Sequence, residues 1–274
     1  MKVNIDNAVR YFARTASIHS GEVKLFGVLI DALKKLSGNG ISVAEYHGNS
    51  HQVVFGVNFN KSKIARCELA DLAIVVVGKS ESRFLLLQCK NVKGSWAHSK
   101  INGRFKLDYS QYYLLSRRPY ITGVGLFCPP GTLLRDAILP SIGTYGVFYN
   151  DGFQVDMFSV AAGEIAADAG RSVMGSINIQ NEFRVHNGFS ENLYSCCMEI
   201  FLSNLLNFKI GTPIMKGIGD SAQESNIIKT KMLIAATIRG ERLGSDVVQL
   251  VDFGVVGDDN LLGFKNLVVI RNDG

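Results

Sequence analysis

Two apolar runs joined by a polar turn limit what this chain can fold into more than any other stretch. Residues 67–94 read CELADLAIVVVGKSESRFLLLQCKNVKG. Leu69 to Val77 and Phe84 to Cys89 are two predicted strands around the turn GKSESR, apolar enough to be buried on both faces of a sheet. Alternation along the second strand puts Phe84, Leu86, Gln88 and Lys90 on one face, with Leu85, Leu87 and Cys89 on the other. If the two strands pair antiparallel, Asp71 at the start of the first lies beside Gln88 and Lys90 at the end of the second. A solvated hairpin end accounts for any one of these residues, but not for all three aligned on strands so apolar elsewhere. Burying them together is costly unless they pair or hold a metal ion.

The flanking segments supply an α/β context. Residues 1–17 contain a short amphipathic basic stretch. Ser20 to Leu36 is a predicted helix with Ser20 as N-cap and Gly38-Asn39-Gly40 as terminator. Its stripe Phe26, Leu29, Leu33, Leu36, extended back one turn, passes through Glu22. An acid there also suits the first turn through the helix macrodipole, which by itself explains it. Ile41 to Tyr46 and Gln52 to Phe59 read as strands around the turn HGNS, where Glu45, His47 and His51 carry little weight as metal ligands. After Lys90, the loop-like segment NVKGSWAHSKINGRFK carries Lys93, Lys100, Arg104 and Lys106 among Trp96 and Phe105. Cations interleaved with aromatics suit nucleic acid, and an ordinary surface loop equally. A helix over Leu107 to Arg118, stopped by Pro119, and a strand over Tyr120 to Cys128 complete an α/β core.

The second half reads as a hairpin around Asn150-Asp151-Gly152, an Ala/Gly-rich loop or short helix over 161–176, and a helix over Ser190 to Phe208. A second helix over Ser225 to Arg239 and two or three strands over Asp246 to Arg271 follow.

Composition excludes several classes. Apolar residues make up 47% of 274, enough for a packed core and against disorder. The five cysteines (67, 89, 128, 196, 197) show no CxxC spacing and predict reduced core thiols, not a disulfide framework or a zinc site. No apolar run approaches membrane-spanning length, and the polar, basic start lacks the apolar centre of a secretory leader. The expectation is a soluble, cytoplasmic protein with no membrane partner. The net charge of +5 is compatible with nucleic acid without pointing to it.

The order Glu22 on the first helix, Asp71 at a strand start and Gln88-x-Lys90 at the next strand end resembles the PD-(D/E)XK nuclease superfamily, over roughly the first half of the chain. The residue before the acid is Ala70 where the motif has proline, and Gln88 stands where the motif has an acid, as in Mrr-like members. The resemblance implies a restriction-endonuclease-like core, a central mixed β-sheet flanked by helices, over residues 1–144. A C-terminal α+β region over 145–274 would serve recognition, dimerisation or partner binding, separately or packed as one unit with the first. It also implies a Mg²⁺-dependent deoxyribonuclease, with Mn²⁺ able to substitute, acting on double-stranded DNA in restriction or anti-phage defence. Asp71, the Gln88 side-chain carbonyl and the Cys89 backbone carbonyl would hold the ion, Glu22 would bind through water or a second ion, and Lys90 would act on the attacking water. Lys93, Lys100, Arg104 and Lys106 would contact nucleic acid. A homodimer or a defence-system partner protein is an expectation of the same kind. The other reading is a nuclease-fold protein that binds or assembles without cutting.

Overall fold

The apolar runs of the hairpin form the centre of a large mixed sheet. In the computed structural model the described residues are 1–17, 19–47, 52–59, 61–79, 81–95, 104–125, 129, 131–168, 173–177, 183–213 and 266–272. They form α1 (Lys2–Thr15), α2 (Glu22–Lys34), β1 (Ile41–His47), β2 (Gln52–Phe59), β3 (Lys61–Glu68), β4 (Leu72–Gly78), β5 (Ser82–Ser95), β6 (Arg104–Lys106), α3 (Tyr109–Arg117) and β7 (Thr122–Gly123). There follow β8 (Gly143–Asn150), β9 (Val155–Ala161), β10 (Ile165–Asp168), β11 (Met174–Ile177), β12 (Phe183–His186), β13 (Phe189–Asn192), β14 (Tyr194–Ser195), α4 (Met198–Leu206), β15 (Thr212–Pro213) and β16 (Asn266–Asn272). The fold is mixed α/β, with four α-helices among the described residues.

The main sheet has the order β1-β16-β4-β5-β8-β9-β14, and β15 pairs with β5 off that path. β4 and β5 are antiparallel, while β16 joins β4 and β8 joins β5 in parallel. Alternation sorts the side chains as the sequence demands. Leu72, Ile74, Val76, Leu85, Leu87 and Cys89 pack towards α1, α2 and α4, with Phe12, Leu25, Leu29 and Phe201. Ala73, Val75, Phe84 and Leu86 pack on the other side with Leu114, Leu115, Phe55, Phe105 and Tyr145. Both faces are dry. Each large apolar side chain so buried contributes about 1.5–3 kcal/mol relative to exposure.

The crossover from β5 to its parallel neighbour runs through α3. At its end Gly143 lies so close to α3 that a Cβ there would stand 2.9 Å from the Leu115 carbonyl oxygen. The strand expected over Tyr120 to Cys128 does not fill this place. Its described part, Thr122–Gly123, pairs with β2 in a separate three-stranded sheet, and the core strand is Gly143–Asn150. Position 144, expected to end a first domain, lies inside β8, and β8, β9, β14 and β16 all extend the sheet of the first half.

Other local expectations shift. β1 and β2 do not pair with each other: β1 lies on β16 and β2 on β3. Helix α2 begins at Glu22 with Gly21 as N-cap, and the buried stripe above Glu22 runs Leu25, Leu29, Leu33, with Phe26 only half-buried. The helix expected over Ser190 to Phe208 shortens to Met198–Leu206. Its first part is a strand because Asn187 and Gly188, at φ 49° and 78°, make the tight turn that pairs β12 with β13. Residues 161–176, expected as a loop or helix, hold β10 and most of β11. The helix expected over 225–239 lies outside the described residues, as does the expected tail before Asn266.

Candidate active site

Asp71 sits one residue before β4, and the register Leu72↔Leu87 puts it opposite Gln88. Its Oδ2 accepts from the Gln88 Nε2 amide and, at 2.7 Å, from the Cys89 backbone N–H. Gln88 is 2% exposed, and its Oε1 has no hydrogen-bond partner among the described residues. Burial pushes the Asp71 carboxyl up from its ordinary value, opposed in turn by the Cys89 N–H, the Lys90 charge and the Gln88 amide, while Glu22 adds to the rise. Burial also holds the Cys89 thiol well above its ordinary range. It is therefore a core thiol.

Lys90 Nζ lies 3.2 Å from Glu22 Oε1. Glu22 is placed there because it opens α2, whose Leu25 and Leu29 seat the helix on the sheet, and an acid suits a helix N-terminus. The Asn91 Nδ2 amide donates to the Ser20 carbonyl at 3.3 Å, tying the chain before α2 to β5. The Lys90 side chain is 15% exposed and that of Glu22 42%, so the pair contributes at most about 1 kcal/mol. A phosphate entering beside Lys90 would displace it readily.

Glu22 and Lys90 line a cleft of about 1030 Å³ together with Ser20, Asn91, Arg104, Lys106 and Asp108. Strand β6 alternates exposed, buried, exposed, so Arg104 and Lys106 project to one side while Phe105 enters the core. Asp108 also caps α3, its Oδ1 accepting from the Gln111 N–H at 3.0 Å. Of the expected nucleic-acid contacts, Arg104 and Lys106 lie in the cleft. Lys93 belongs to β5, and Lys100 lies outside the described residues.

Sequence reasoning missed Tyr145, Asn91 and Asp108. Tyr145 faces Gln88 across the parallel β5–β8 pair, fully buried, with a hydroxyl that has no hydrogen-bond partner among the described residues. Burial, then Asp108, Cys67 and Asp71, push its hydroxyl well above the ordinary range. Asn91 could have been suspected from its place beside the triplet. Tyr145 could not, because nothing in the sequence placed its strand beside β5.

Of the weakly weighted Glu45, His47 and His51, Glu45 pairs with Lys34 at 2.5 Å, while the His47 side chain and His51 lie outside the described residues. Among the described residues no group of three or more His, Cys, Asp or Glu comes together to hold a metal ion. The candidate site has two carboxylates, an amide and a backbone carbonyl. Its Gln88 Oε1, buried without a partner beside Asp71, is a hard oxygen suited to a divalent cation. In the structure Nε2, not Oε1, meets Asp71. A half-turn of the amide would bring two oxygens together, an arrangement that a cation or a proton between them would stabilise. With that turn the donor set fits Mg²⁺ or Mn²⁺.

Among the described residues four cysteines are free thiols, and no helix is long and apolar enough to cross a membrane. Comparison with family models, curated proteins and solved structures finds no match to this chain.

Proposed function

We propose that this chain is a metal-dependent endonuclease of the restriction-endonuclease-like fold, a cytoplasmic protein acting on double-stranded DNA in restriction or anti-phage defence. The observation that carries the reading is the convergence of Asp71, Gln88, Lys90 and Glu22, from three separate segments, at one end of β5 and beside a cleft bearing Arg104 and Lys106. The antiparallel β4–β5 hairpin, the α3 crossover and the parallel β8 support the fold assignment.

Asp71, the turned Gln88 carbonyl and the Cys89 backbone carbonyl would hold Mg²⁺ or Mn²⁺, with Glu22 joining through water. Bound there, the ion would supply a Lewis acid and a more acidic water. Arg104 and Lys106 take the phosphate backbone, a sequence-independent and salt-sensitive contribution. Lys90, released from Glu22, orients or deprotonates the attacking water and places its ammonium where charge develops on the phosphoryl oxygens. The dry wall of Gln88 and Tyr145 behind Asp71 strengthens these interactions by excluding bulk water.

Plasmid cleavage in Mg²⁺ or Mn²⁺ tests this. Wild type should cut, and Lys90→Ala and Asp71→Ala should each lose about 10²–10³-fold in rate. If wild type cuts neither DNA nor RNA with either ion, the enzyme reading fails. If both variants match wild type, the site is wrong. One observation favours a second reading, a non-cleaving binding or assembly subunit: the Gln88 amide already occupies the face of Asp71 that a metal would need.

A further inference from the structure

We infer that Tyr145 is the positioning residue for the Gln88 amide, its hydroxyl meeting the amide across one buried water in either orientation of the amide. The inference rests on the nuclease reading for its consequence, though not for the contact itself. Gln88 and Tyr145 are register partners on adjacent strands, and both belong to the face that carries Phe84 and Leu86. Each ends in a buried polar atom without a partner among the described residues, an amide oxygen on one side and a hydroxyl on the other. Unpartnered buried groups are uncommon, and a complementary pair on facing residues has a natural solution in a bridging water.

The hydroxyl is well held. The Tyr145 ring packs against Phe105, with centroids 6.2 Å apart, and Phe105 lies between the cleft cations Arg104 and Lys106. A hydroxyl donates or accepts, so Tyr145 suits both faces of the amide. With Nε2 on Asp71, Tyr145 Oη–H donates to the bridging water, which donates to Oε1. With Oε1 turned to a cation, Nε2 donates to the water, which donates to Oη. A glutamate at 88 could use only the first arrangement and would set two carboxylates side by side in the core. Tyr145 thus makes glutamine workable here and sets the energy of the turn that metal binding requires.

The test uses the full chain with ¹⁵N-labelled glutamine, the Gln88 NH₂ signals being identified by their loss in Gln88→Glu. In metal-free wild type these protons should exchange slowly, and Tyr145→Phe should shift them and speed their exchange. By calorimetry Tyr145→Phe should weaken Mn²⁺ binding about tenfold, as loss of an outer-shell partner does. Near-UV circular dichroism checks the fold. If the variant does not fold, 3-fluorotyrosine in place of tyrosine gives a second measurement, in which the ¹⁹F signal of residue 145 should move in Gln88→Glu. Unchanged Gln88 signals in folded Tyr145→Phe, or an unmoved ¹⁹F signal, would overturn the inference. Wild type that binds no Mn²⁺ would sink the nuclease reading, while the metal-free amide signals still judge Tyr145.

Discussion

The two ends of β5 bury polar groups in opposite ways. Near its start Arg83 is 2% exposed, and every guanidinium nitrogen has a partner: Glu81 at 2.5 Å, the Gly211 carbonyl at 2.8 Å and the Ser190 carbonyl at 3.4 Å. The Phe189 ring lies 5.6 Å below. Arg83 therefore fastens β13 and the segment entering β15 to the sheet. Further along, Gln88 and Tyr145 keep unpartnered buried atoms, Asp71 is held away from its ordinary carboxyl range, and Lys90 leans on a half-exposed acid at a cleft. A saturated buried charge stabilises a fold. An under-satisfied one at an opening is suited to a ligand.

The largest way to break this contrast is Arg83→Ala, which strands Glu81 and two carbonyls. We expect a loss of about 3 kcal/mol in urea unfolding, with cleavage per folded molecule unchanged. A loss no bigger than the roughly 0.5 kcal/mol of a surface change would remove Arg83 from its structural role. Gln88→Glu should sharpen the other side. Metal-free protein should lose stability at neutral pH from adjacent carboxylates, and Mg²⁺ should restore it, read as melting temperature with and without the ion.

Asp71→Asn should lose cleavage about as far as Asp71→Ala yet raise the melting temperature at pH 7. The folded-state carboxyl lies above its ordinary 3.8, so its stabilising contribution is full below that value and is lost as pH rises through the folded one. The gap between variant and wild type should close as pH falls towards 3.8. A gap independent of pH would mean that the Asp71 charge is not what destabilises the site. The smallest effect belongs to Lys106→Ala, which should weaken DNA binding uniformly across sequences and reduce the slope of log K against log salt by about 1. An unchanged slope would take Lys106 out of the phosphate contacts.

The hairpin and its polar end were legible in advance because they depend on local rules. Two-residue alternation put Gln88 and Lys90 on one face, and the turn length put Asp71 opposite Gln88; the pairing Leu72↔Leu87 agrees. Glu22 could be read from its place in line with a buried helical stripe, although the stripe itself runs through Leu25. The miss at Ser190 has a local cause: Asn187-Gly188 is a hairpin turn, and its pairing outweighed the helical pattern downstream. The misses at Tyr120 to Cys128 and at Tyr145 are different. Several apolar segments follow α3, and nothing in a strand's own sequence says which neighbour it will pair with.

The sequence by itself determined the apolar hairpin, the acid before it and the Gln-x-Lys pair at its end, since side-chain alternation and turn length act over a few residues. Only the tertiary structure decided that β8 lies beside β5 with Tyr145 against Gln88, that β16 enters the sheet next to β4, and that Nε2 takes the face of Asp71. Strand order and amide orientation are settled by burial and hydrogen bonding between segments far apart in the chain, and no local pattern encodes them.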